Sequence, residues 1–142
     1  MMTPDQIDRI RSSFKMVSGR GDELADQFFT RLFANQPLLK ALLPRDRWMR
    51  SRDFLTGLGL LVKNMHRLDS IEHVLMDFGV RSTRAGATPQ HFGLAREALL
   101  QSLGDLMGAD WTDALENDWS EALNTVSSLV ILGAGRSRAK AA

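Results

Sequence analysis

The side chains able to do chemistry in this chain are few. Three histidines (His66, His73 and His91) and seven methionines are the neutral metal donors on offer, because the sequence has no cysteine and no tyrosine. Without cysteine there are no disulfides, thiolate metal sites or cysteine nucleophiles. No Ser/His/Asp constellation, histidine-rich metal spacing, glycine-rich phosphate loop or carboxylate pair on an apolar face can be traced. The chain is therefore expected to be neither an enzyme nor a metal-ligating protein. Arg45, Arg47, Arg50 and Arg52 are the main concentration of charge, suited to phosphate or an acidic partner. Asp46 and Asp53 interrupt that patch, which makes it a weak nucleic-acid footprint. Gly57 and Gly59 sit two apart inside a helical stretch, where they are expected to permit a close helix crossing rather than bind phosphate.

The elements that must position these residues are helices. A length of 142 residues with 44% hydrophobic and 25% charged side chains suits one globular domain with a real core. Leucine outnumbers valine and isoleucine together by about two to one, which favours helix over sheet. The net charge of +1 gives no global pull towards nucleic acid or an anionic membrane. The longest apolar run, Phe54 to Val62, falls well short of the roughly 20 residues a membrane span needs. Asp5, Asp8, Arg9 and Arg11 stand among the apolar residues of the first helical stretch, so no signal peptide and a cytoplasmic location are expected.

Start and stop signals divide the chain. Thr3-Pro4-Asp5-Gln6 offers a cap, a first-turn proline and a capping-box glutamine, and Ile7, Ile10, Phe14 and Val17 follow on one face. Asp22 is expected to cap a second helix with Ala25, Phe28, Phe29, Leu32 and Phe33 inward. Pro37 opens a short apolar turn that Pro44 closes. The next helix carries Phe54, Leu55, Leu58, Leu61, Val62 and Met65. Asp69 or Ser70 is expected to cap a helix with Ile71, Val74, Leu75 and Phe78. Thr88-Pro89 starts another, with Phe92, Ala95, Leu99, Leu103 and Leu106. The last is expected from about Asp113 to Leu132, with Gly133 as its stop.

This order of helices, with a proline-led turn after the second, resembles a globin. The segment Phe28-Phe29-Thr30-Arg31-Leu32-Phe33 with Asn35-Gln36-Pro37 looks like the second and third helices of the flavohaemoglobin-type bacterial globins. Asn64 through Leu68-Asp69, Gly79, Gly86, Thr88 through His91-Phe92, and Trp119 are similar to that family in register. The fold class implied is all-α, a globin fold of six to eight helices in three-over-three packing. The globin domain is expected over 1–134, with a disordered basic tail over 135–142.

The same register shows departures. The family's proximal histidine, which bonds the haem iron, falls on Ser82. The phenylalanine wedged against the haem falls on Leu43, the distal glutamine or histidine on Arg50, and the oxygen-binding tyrosine on Phe29. Later tyrosines fall on Phe92 and Leu123. Residues four and seven apart on a helix share a face, so Leu75 and Phe78 lie with Ser82, while His73 points away. Ser82 is expected to end or cap its helix through its hydroxyl. His91 is expected as a helix-start residue, and His66 and His73 as surface histidines. Arg50 and Phe54, four apart, would lie over the distal side of a haem. Arg50 then either pairs an anion or propionate, or reaches solvent beside Arg45, Arg47 and Arg52.

An empty pocket of about 300 Å³ would cost roughly 7 kcal/mol, comparable with a domain's whole stability of about 5–15 kcal/mol. Phe29, Leu43, Phe54, Phe78 and Phe92 are therefore expected to fill the ancestral haem pocket. The function implied is a haem-free or atypical globin acting as a sensor or protein-interaction module, with no cofactor. One alternative is haem bound by atypical ligation through His91 or water, for oxygen or nitric oxide. Nitric oxide dioxygenase or peroxidase activity would follow only in that case. The second alternative is a carrier of an apolar small ligand, with Arg50 pairing its carboxylate. Expected partners are another protein or a second copy through the last two helices, with no nucleic acid and no membrane.

Overall fold

A computed structural model describes residues 2–43 and 46–141, with side chains through Arg136. Six α-helices follow one another: α1 (Pro4–Ser18), α2 (Gly21–Asn35), α3 (Arg47–Lys63), α4 (Glu72–Arg84), α5 (Pro89–Met107) and α6 (Asp113–Ala141). Short 3-10 turns at Pro37–Leu42, Met65–Ile71 and Gly108–Asp110 join them, and no strand occurs among the described residues. Among those residues no helix is long and apolar enough to cross a membrane.

The helix starts show which polar side chains do local work. At α1 the Thr3 hydroxyl accepts from the Gln6 amide at 3.2 Å, and Gln6 Oε1 accepts from the Thr3 amide at 2.8 Å. This is the reciprocal capping box expected from the sequence. Asp46 caps α3, its Oδ1 accepting from the Met49 amide at 3.0 Å. Two expected caps are displaced. α2 starts at Gly21, with Arg20 at the cap and no side-chain bond there, so Asp22 joins Glu23 in the first turn. Both acids still face the positive end of the helix dipole. Before α4, Ser70 donates to the Arg67 carbonyl at 2.6 Å inside the preceding turn, and the cap position falls on Ile71 without a side-chain bond. Between α5 and α6 the chain turns on Gly108, whose φ of +55° suits glycine.

The main core gathers one face each of α1, α2, α3, α5 and α6 around Trp119, which is fully buried. Trp119 Nε1 donates to Ser13 Oγ at 2.9 Å, and Ser13 Oγ donates to the Ile10 carbonyl at 2.7 Å, so the indole polar atom is satisfied in the dry interior. Leu99, Leu103 and Leu106 are buried as their periodicity predicts, and Leu115 is buried with them. A second, smaller apolar cluster centres on Ile71, Leu75 and Val130, where α4 lies along α6.

Glycine decides that second packing. A Cβ on Gly79 would overlap the Val130 carbonyl oxygen, and one on Gly133 would overlap the Met76 carbonyl oxygen. Gly133 is therefore not a helix stop. α6 runs through it to Ala141, so most of the tail expected at 135–142 has helical backbone, while Ala142 lies outside the described residues. Gly57 and Gly59 have nothing within 4 Å of where a Cβ would be, which overturns their expected part in a helix crossing.

Candidate functional site

The aromatic residues expected around one pocket occupy two separate groups. On the α2–α3 side, Phe28 stacks on Phe54 with ring centres 4.5 Å apart. Phe29 meets Phe54 edge-on at 5.7 Å and stacks with Phe33 at 5.7 Å. Leu43 is half-buried against this same core, and Leu123 is buried in it. On the α4–α5 side, Phe78 and Phe92 pair at 6.5 Å. Among the described residues no ring–ring contact joins the two groups. Phe78 is 48% exposed rather than part of an inward stripe, because the face of α4 buried on α6 is the one carrying Leu75 and Gly79.

Ser82 is half-buried on α4, two residues before the helix ends at Arg84. Its backbone carbonyl accepts from the Ala87 amide at 2.9 Å, so the main chain closes this end. His91 is half-buried at the start of α5, and its Nδ1 accepts from the Thr88 amide at 3.1 Å. That is the helix-start role expected of it. His66 is exposed, with Nδ1 accepting from Arg11 Nη2 at 2.8 Å, and His73 is exposed on α4. Among the described residues no three His, Asp or Glu side chains converge on a point that could hold a metal ion.

Arg50 is half-buried, with its guanidinium carbon 5.7 Å from the Phe29 ring centre and 5.5 Å from that of Phe33. It faces a cleft of about 500 Å³ between α2, the Pro37–Leu42 turn and the first turns of α3. The sequence reading missed Lys40, whose Nζ lies 5.5 Å from the Phe33 ring centre on the same cleft. It also missed Asp26, ion-paired there with Arg47 at 2.5 Å. The spacing of Asp26, Thr30 and Phe33 along one face of α2 was the available signal.

A bundle of six helices with a proline-led turn after the second, closed by a long last helix carrying a buried tryptophan, is the architecture of a globin. The sequence profile of the globin family matches residues 26–130, and the chain belongs to that family. It is 20% identical over 133 residues to a flavohemoprotein of Rhizobium meliloti, an alignment covering 92% of this chain and 33% of that protein. A match of 19% identity to an uncharacterized globin-like protein of Aquifex aeolicus covers 92% of this chain and 93% of the relative. The chain spans about a third of the length of the flavohemoproteins it matches.

Solved structures show the same fold. An engineered carbene transferase made from a putative nitric oxide dioxygenase of Rhodothermus marinus superposes with a TM-score of 0.84 at 16% identity, covering 98% of this chain and 97% of that one. A bacterial globin from Campylobacter jejuni gives 0.81 at 16% identity, covering 94% and 97%.

Proposed function

We propose that this chain is a haem-independent globin that works as a sensory or protein-interaction module. The donor set carries the reading. Haem is the cofactor the family implies, and its iron is usually held by His, Met, Cys or Tyr. The position that the resemblance assigns to the iron ligand is Ser82, whose neutral hydroxyl is a very poor iron donor. The substitute, His91, has its Nδ1 lone pair engaged by the Thr88 amide. A neutral imidazole accepting at Nδ1 carries its hydrogen on Nε2. Iron ligation through Nε2 requires the opposite tautomer, with Nδ1–H as a donor. His66 is held in the same sense by Arg11. The residues present therefore do not fit an ordinary haem site.

An interaction role draws support from one corner of the surface. Leu38 is 81% exposed and Trp48 is 68% exposed, on two elements that face each other across the Arg50 cleft. Large apolar side chains so placed suit a protein partner.

The test is an absorption spectrum of the protein as isolated, followed by titration with hemin. The expected result is no sharp, stoichiometric Soret band, and no change on replacing His91 by Ala. A stoichiometric five- or six-coordinate spectrum would overturn the proposal.

A second reading is a carrier of an apolar ligand whose carboxylate Arg50 would pair, since its guanidinium lies beside the Phe29 and Phe33 rings at the cleft. Native mass spectrometry finding no co-purified ligand would count against it.

A further inference from the structure

We infer that the cleft between α2, the Pro37–Leu42 turn and the first turns of α3 binds a small organic phosphate monoester. Its volume of about 500 Å³ falls in the range of about 300–1,000 Å³ typical of small-molecule sites. Among the described residues lining it, Lys40, Arg47 and Arg50 bring three positive charges from two different elements, against one carboxylate, Asp26. That balance leaves two positive charges over. A phosphate monoester carries about −1.5 to −2 at pH 7, which matches this surplus better than a monocarboxylate does.

The charges are also held in place. Lys40 Nζ and Arg50 Cζ each lie 5.5 Å from the centre of the Phe33 ring, so one aromatic ring anchors two cations on the same site. Arg47 is fixed from the other side by Asp26 at 2.5 Å. Hydroxyls of Thr30 on α2 and Ser51 on α3 add neutral donors from opposite walls. The cleft is far larger than a phosphate group, and Ala34 and Pro37 give it an apolar flank for an organic body. Nothing in this site depends on an iron ligand, so it stands or falls independently of the haem question.

The experiment is titration of the full chain with phenyl phosphate, inorganic phosphate and benzoate at matched ionic strength, followed by amide NMR shifts and calorimetry. Saturable binding of phenyl phosphate is expected, with shifts centred on Thr30 and Ser51. It should be about tenfold tighter than benzoate, as one added charge-assisted contact would give. Lys40→Gln combined with Arg47→Gln should weaken it by about tenfold or more, with an unliganded melting curve close to that of the parent, since both side chains are exposed. Binding that is equal for benzoate, that ignores the double substitution, or that maps elsewhere would overturn the site. Inorganic phosphate binding as tightly as phenyl phosphate would remove the organic body from the proposal.

Discussion

Gly79 lies against the main chain of Val130, so closely that a Cβ on the glycine would overlap the valine's carbonyl oxygen. Gly133 meets Met76 in the same way from the opposite helix. α4 and α6 therefore touch backbone to backbone at two places. This contact fixes the rotation of α4 that buries Leu75, leaves Phe78 half-exposed and sets Ser82 between them.

Replacing Gly79 or Gly133 by Ala should cost about 1–3 kcal/mol by overpacking. Gly57→Ala and Gly59→Ala, with open space at both positions, should instead raise stability by about 0.5–1 kcal/mol each, since alanine restricts the unfolded chain and favours helix. Urea midpoints of the four single variants measure this directly. Equal effects at all four positions would refute the assignment of the crossing.

Asp118 is buried on α6 and accepts from Arg9 Nε at 2.5 Å and Nη2 at 3.0 Å, tying α1 to the last helix. That hydrogen bond also holds the Arg9 guanidinium above its ordinary pKa. Arg9→Met should leave the buried Asp118 carboxylate without its partner and lower the melting temperature. Restoring Arg9→Lys should recover only part of this, because one ammonium cannot repeat the two-nitrogen contact. Calorimetric melting of the three proteins orders them.

Ser13→Ala should remove the acceptor of the Trp119 indole and leave a donor stranded in the core. The expected loss is about 1–3 kcal/mol. Ser13→Thr keeps the hydroxyl but adds a methyl group to a packed site, so it too should destabilise. An unchanged denaturation midpoint for Ser13→Ala would mean that the indole has found another acceptor.

Arg20 donates to Glu23 through Nη2 at 2.6 Å and Nε at 3.3 Å, and this hydrogen bond holds the Glu23 carboxyl below its ordinary pKa. A carboxylate with a folded value below its unfolded one contributes stability above the unfolded value and loses it as pH falls through the folded one. The stability difference between the parent and Glu23→Gln should hold from about pH 7 to about pH 5 and fade below about pH 4. Its size is that of an exposed pair, so it is small and shrinks with salt. A difference that grew on acidification would contradict the pairing.

Much of the architecture was legible in the residues. The Thr3 and Thr88-Pro89 starts, the order of six helices, and the inward placing of Leu99, Leu103 and Leu106 follow from capping chemistry and the 3.6-residue period, which are local. The departures have local and non-local causes. Ser70 spends its hydroxyl in a turn, so α4 begins without the expected cap. Gly133 reads as a stop by its own propensity, but a neighbouring backbone occupies the space a side chain would need, and the helix continues. Phe78 reads as an inward residue by spacing, yet the burial of α4 is set by what α6 presents to it.

By itself the sequence determined the helical class, the place of His91 at a helix start, and the scarcity of groups able to grip a metal. Each is a property of residue type and of spacing within one segment. Only the tertiary structure decided which glycines lie at a helix crossing, how the aromatic rings divide, and that Lys40 joins Arg47 and Arg50 on one cleft. Those relations arise between segments distant along the chain, where the space left by one backbone, not the preference of one residue, selects the arrangement.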